Sequence, residues 1–145
     1  MTINVESFTE NIMKSLTEYT EQVSAANKAG IDKTAEEAMQ IVVGKAPKGR
    51  SKRKYTRNGK KTGRRPGKYQ KAIRISVAFE DRTNKRVYVC VKPNEHALAH
   101  LLENGHAMRQ GGRSKEKPHF VYGQEYILNN LEKNIIKEIN NIDVT

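Results

Sequence analysis

The run Ala72-Ile73-Arg74-Ile75-Ser76-Val77-Ala78-Phe79 places its large apolar side chains at every second position. Ile73, Ile75, Val77 and Phe79 alternate with Arg74, Ser76 and Ala78, the period of a strand with one buried face. A polar connection, residues 80–85 (EDRTNK), follows. Alternation resumes over residues 86–91, with Val87, Val89 and Val91 on one face and Tyr88 and Cys90 on the other. Two short alternating runs joined by a polar turn predict an antiparallel hairpin.

Helical periodicity flanks the hairpin on both sides. Within residues 4–29, Val5, Phe8, Ile12, Leu16, Tyr19, Val23 and Ala26 recur at intervals of three or four and form one stripe of an amphipathic helix. Gly30 interrupts it. Asp32 or its neighbour caps a second helical stretch whose apolar face is Ala35, Ala38, Met39 and Val42, ending before Pro47. One kinked helix and two separate helices both fit this pattern. Beyond the hairpin, Asn94 is placed to cap a short helix over residues 95–103, which Asn104-Gly105 closes. Residues 106–118 are polar and glycine-rich, a loop, and from about Tyr122 a last helix carries Leu128, Leu131, Ile135 and Ile139.

This order predicts an α+β fold, with a long N-terminal helix and a C-terminal helix packed on a small antiparallel sheet. A chain of 145 residues is the length of one domain. It divides into a helical region (1–46), a basic loop (47–68), the hairpin (69–93), a helix with a glycine-rich loop (94–120) and the C-terminal helix (121–142).

Charge is distributed unevenly. The net +11 comes from 27 Lys and Arg against 16 Asp and Glu, but 14 of the basic residues and no acidic one lie between Lys45 and Arg74. The remainder holds 13 basic and 16 acidic residues, so a slightly acidic domain carries one basic insert. Residues 47–68 offer no large apolar side chain except Tyr55, and repulsion among like charges opposes collapse, so a mobile segment is expected. Its residues Arg50, Lys52, Arg53, Lys54, Arg57, Lys60, Lys61, Arg64 and Arg65 are the candidate contacts to DNA or to an acidic partner. Charge alone would point to a free nucleic-acid-binding protein acting through Lys45–Arg74.

Several chemistries are excluded by spacing. No stretch approaches the roughly 20 apolar residues of a membrane span, and an N-terminus bearing Glu6 and Glu10 lacks the layout of a secretory signal. One cysteine, Cys90, makes neither a disulfide framework nor a zinc cluster. His96 and His100 lie four apart with Glu103 and His106 beyond, yet Ala97 stands where the HExxH pattern needs Glu. A nuclease built on His100, Glu103, His106 and a divalent metal is the remaining enzymatic reading. Gly59-Lys60-Lys61-Thr62-Gly63 fails as a phosphate loop, because Lys54 stands at the position of the leading Gly and Lys61 at that of the Ser or Thr. Cys90 sits mid-strand among valines, the setting of a structural thiol. No enzyme, cofactor or metal site is expected.

One long motif remains: His100-Leu101-Leu102-Glu103-Asn104-Gly105-His106, then Arg109, Gly111-Gly112-Arg113 and Pro118-His119-Phe120. It resembles the Hong Kong-type tail-component family of tailed bacteriophages, the minor tail, tail-completion or head–tail joining proteins. Ala46-Pro47, Thr62-Gly63 and Tyr69 resemble that family's upstream element, although here fourteen residues, Lys48 to Lys61, separate the Ala-Pro from the Thr-Gly. Ile73 stands where the family often has an aromatic. The resemblance runs from about residue 20 to about 140.

It implies a structural virion protein of the neck or tail end, assembled in the bacterial host cytoplasm, with no membrane stage. It further implies a self-associated ring, with a hexamer as one candidate stoichiometry, docked to tail-tube, tail-terminator or head-connector proteins and approaching phage DNA. Glu103, Gly105, His106, Arg109, Arg113 and His119 then form a structural clasp or interface. A carboxylate in the last turn of a helix needs a positive partner, and Arg109 or Arg113, returned by the glycine-rich loop, is the expected one, within a subunit or between two.

Overall fold

The computed structural model describes residues 5–49, 54–55, 58, 61–62 and 66–142. Helix α1 (Val5–Lys45) is continuous for 41 residues, about 60 Å at 1.5 Å per residue. A short antiparallel pair follows, β1 (Lys54–Tyr55) with β2 (Lys61–Thr62). A 3-10 turn (Gln70–Ala72) leads into the main hairpin, β3 (Ile73–Glu80) and β4 (Lys85–Val91). Helices α2 (His96–Asn104) and α3 (Phe120–Asn140) complete the α+β fold.

Gly30 does not break α1. It is buried in mid-helix, where a Cβ would lie 2.8 Å from the Ile135 Cα of α3. Gly123 does the same from the other helix, since a Cβ there would lie 2.4 Å from Val42 Cγ2. These two contacts pair residue 30 with 135 and residue 42 with 123, so the helices run antiparallel. Ala35 and Ala38, also buried, keep the α1 face shallow between them. Polar groups fix the register: Asn134 Nδ2 donates to Thr34 Oγ1 at 3.0 Å and to Glu37 Oε2 at 3.1 Å, and Tyr126 Oη donates to Glu37 at 2.6 Å. Asp32, expected to cap a second helix, instead accepts from Lys85 Nζ of β4 at 2.6 Å.

At the far end of α1 the orphan carbonyls of Val43 and Ala46 are taken up by one side chain. Gln70 Nε2 donates to them at 2.9 and 2.8 Å, a cap supplied from the turn before β3 rather than by a glycine. Gly67 N donates to Lys48 O at 2.8 Å, so the basic insert leaves and re-enters the domain at one point. The core lies here. Val42, Ala46, Tyr69 and Ile73 are buried, with Met39, Val89, Val91, Leu98, Leu102 and Phe120 packed around them.

The hairpin departs from strict alternation at one residue. Ile73, Ile75 and Val77 stand opposite Val91, Val89 and Val87, but Phe79 stands opposite Arg86. The extra residue between Val77 and Phe79 is a β-bulge, which turns everything beyond it over. Phe79 therefore shares the outer face with Arg86 and Tyr88, and both aromatics are exposed. Glu80 is brought to the α1 side, where Lys28 and Lys85 pair with it at 3.4 and 3.5 Å.

Two further expectations shift. Helix α2 is preceded by Glu95, not capped by Asn94, and no side-chain cap is made there. Helix α3 begins at Phe120, two residues before Tyr122. The apolar stripe of α1 also divides. Residues 6–20 are exposed throughout, and burial on the domain starts only from Val23. Among the described residues no helix is long and apolar enough to cross a membrane.

The α1–α3 contact yields a test. Gly→Ala in a helix interior ordinarily stabilises by up to about 1 kcal/mol. Gly30→Ala is expected to do the opposite, lowering unfolding free energy by about 1–3 kcal/mol because the backbone of Ile135 cannot give way. Urea denaturation of the variant measures the sign directly.

Candidate functional site

Glu103 lies in the last turn of α2, where the helix dipole disfavours a carboxylate. Its partner is the N-terminus of α3. Oε2 accepts from the backbone N–H of His119 at 3.0 Å and of Phe120 at 3.3 Å, while Oε1 accepts from that of Val121 at 3.2 Å. These are three of the orphan donors that open every helix. His119, the residue before α3, makes no side-chain cap, so Glu103 caps α3 from another element.

His119 extends the arrangement inward. Its ring is fully buried. Nδ1 faces two acceptors, Lys117 O at 2.9 Å and Glu103 Oε2 at 3.1 Å, while Nε2 lies 2.8 Å from the Tyr69 hydroxyl. Nδ1, facing two acceptors, donates, and Nε2 shares a hydrogen bond with the Tyr69 hydroxyl. The two rings meet edge to face at 5.5 Å and 77°. Burial, reinforced by the Glu103 charge, pushes the Tyr69 phenol up to about 12. A tyrosine at the base of the insert, the end of α2 and the start of α3 are thus tied through one carboxylate and one imidazole.

Arg109 and Arg113 do not take the place expected for them within the subunit. Both are exposed, and among the described residues neither pairs with Glu103. The reason is geometric. The loop closes on itself: Ser114 N donates to His106 O at 2.8 Å, Met108 N to Gly112 O at 2.9 Å and Gly111 N to Met108 O at 3.0 Å, with a bridge between Ala107 and Arg113. Arg109 therefore rides on the turn at the loop's tip. Gly105, with φ +66°, is required because a Cβ would sit 2.6 Å from Ser114 O. Ser114 Oγ joins both the backbone N and Nδ1 of His106 at 2.9 Å, so this histidine secures the loop and faces solvent.

The remaining sequence candidates are dispersed. His96 turns its Nδ1 to Pro93 O, and His100 is exposed. Among the described residues no group of three His, Cys, Asp or Glu side chains is gathered to hold a metal. Lys54 and Lys61 fall in β1 and β2, whereas Arg50, Lys52, Arg53, Arg57, Lys60, Arg64 and Arg65 lie outside the described residues, as does Gly63.

Sequence reasoning missed a groove beside the insert's base. Pro47, Tyr69, Leu98 and Leu102 line a cavity of about 180 Å³, with Lys48, Lys68 and Lys117 on its rim. Glu95, buried in its wall, pairs with Lys68 at 2.7 Å. The proximity of Pro47 to Leu98 depends on where α2 docks, and no local pattern encodes that.

Within the long motif Glu103 and His119 hold α2 to α3, inside a small α+β fold. The chain belongs to the family described as "Bacteriophage HK97-gp10, putative tail-component", which it matches over residues 10–105. The match takes in α1, the basic insert, the hairpin and Leu101–Gly105, and it ends before the glycine-rich loop and His119. No curated protein and no solved structure matches the chain. By family it is a phage tail-related structural protein.

Two outcomes follow from the clasp. Glu103→Gln leaves an amide facing N–H donors and removes the charge at the start of α3. It should lower stability by about 1–2 kcal/mol in urea denaturation while keeping the helical signal. Raising the Tyr69 pKa from 10.0 to about 12 means that the folded state favours the neutral phenol. That contribution is present below about pH 10 and lost as pH rises through about 12. Tyr69→Phe should therefore show a shallower loss of thermal stability over that alkaline range than the parent chain.

Proposed function

We propose that this chain acts at the neck or tail end of the virion, completing the tail or joining it to the head through ring-forming self-association, without catalysis. The observation that carries this reading is the family match across α1, the insert and the hairpin. Two features of the molecule support it. The histidine and carboxylate of the motif are engaged in holding α2 to α3. Large apolar side chains remain exposed on several surfaces, among them Phe8 and Leu16 on α1, Phe79 and Tyr88 on the hairpin and Leu128 on α3. Where they run together, as Phe8, Ile12 and Leu16 do on α1, such side chains make the contiguous apolar surface that marks a protein contact.

In a sixfold ring the inserts would gather about 84 positive charges, a field tolerable only opposite DNA or an acidic protein surface. The insert is accordingly assigned to the DNA path or to an acidic neighbour such as a tail-tube, tail-terminator or head-connector protein. It is assigned an accessory role, with the ring built by the folded domain.

The test is to delete the gene from its phage and image the lysate. The expected result is heads and tails that accumulate unjoined, or tails of abnormal end structure, with assembly restored by adding the purified chain. Normal infectious particles in the deletion would reject the reading. Replacing residues 50–65 by a neutral linker should reduce infectious yield while leaving the folded domain intact. If the chain is instead a free nucleic-acid binder, the isolated monomer will bind DNA tightly. The log–log salt slope would then be about −5, corresponding to six phosphate contacts.

A further inference from the structure

Residues 6–20 of α1 are exposed along about four turns of helix, some 22 Å long, with Thr17 and Thr20 at their end beside the hairpin turn at Arg82 and Thr83. Phe8, Ile12, Leu16 and Tyr19 make an exposed apolar stripe along them, with Phe8 59% and Leu16 57% accessible. The same stretch carries Glu6, Glu10 and Glu18 against Lys14, a net charge of −2. The groove of Pro47, Tyr69, Leu98 and Leu102 has the complementary character: Lys48, Lys68 and Lys117 line it with Glu95, which engages Lys68, so its charged lining sums to +2. Its volume, about 180 Å³, exceeds the roughly 150 Å³ known to admit a benzene ring.

The arm cannot reach its own groove. It begins α1, and the groove lies beside the end of α1, about 55 Å away along one unbroken helix with no hinge. Two arms are also poorly suited to each other. Each carries a net charge of −2 over residues 6–20, so two arms laid side by side repel. We propose that the exposed N-terminal arm of α1 docks, through the stripe headed by Phe8, into the lysine-rimmed groove of a second copy of this chain. The contact is head to tail. Such a heterologous interface propagates from copy to copy and closes into a ring when the rotation between neighbours divides the circle. The inference rests on the ring reading above and names the surfaces that would make it.

The experiment uses the full chain in two arms. In a Cys90→Ser background, chains carrying Phe8→Cys are mixed with chains carrying Lys48→Cys under mild oxidation. A disulfide between the two kinds of chain, absent when either cysteine is omitted, is the expected result. In parallel, sedimentation velocity compares the parent chain with Leu16→Asp, whose site is exposed and leaves the fold intact by circular dichroism. Association should weaken by at least about tenfold, as for an interface hot spot. Lys48→Glu should weaken it too, and pairing Lys48→Glu with Glu10→Lys should recover part of the loss. If the parent chain forms rings, but Leu16→Asp forms them equally well and no mixed disulfide appears, this docking mode is overturned and the ring reading stands. A parent chain that stays monomeric at every concentration, and is found in virions as single copies, overturns both.

Discussion

The structure depends on a carboxylate that two helices share. Glu103 ends α2, where its charge is unfavourable, and opens α3, where the same charge is favourable. Neither helix is well finished alone: α2 would carry an uncompensated negative charge at its C-terminus, and α3 would leave its first N–H groups without acceptors. Joining them at one residue satisfies both and fixes the angle at which α3 returns along α1. His119 then passes the constraint to Tyr69, which belongs to the segment leading into the hairpin. Three elements distant in sequence are oriented by a chain of groups, none more than 3.3 Å from the next.

Much of the architecture was legible because it rests on short-range periodicity. The alternation in Ile73–Phe79 and Val87–Val91 gave the hairpin, and the spacing of Ala35, Ala38, Met39 and Val42 gave the buried face of α1. Gly30 misled for a physical reason: a glycine inside a helix reads as a break, but its lack of a side chain also lets a second helix approach closely. Nothing near Gly30 distinguishes the two, because the deciding atom belongs to Ile135. Phe79 misled in the same way. A bulge moves one residue across the sheet, and its presence is set by the partner strand's register.

The candidate site was legible in membership and not in connectivity. The need of Glu103 for a positive partner followed from its place at a helix end. That the partner would be backbone N–H groups rather than a guanidinium did not follow, since a helix N-terminus and an arginine meet the same electrostatic demand. Within the subunit the glycine-rich loop folds onto itself and holds Arg109 at its tip, away from Glu103. The groove beside Leu98 was invisible for a different reason, being made by the docking of α2 against the base of the insert.

The bond between Gly67 N and Lys48 O separates the domain from everything between those residues. Because the ends of the insert are already held together by the folded body, the stretch between them can lengthen or shorten with little effect on the rest. Loop-closure entropy changes by only about 0.6 kcal/mol for each doubling of length. The point where the insert leaves the domain is thus a natural port, where the insert can change in length and charge without redesigning the subunit that carries it.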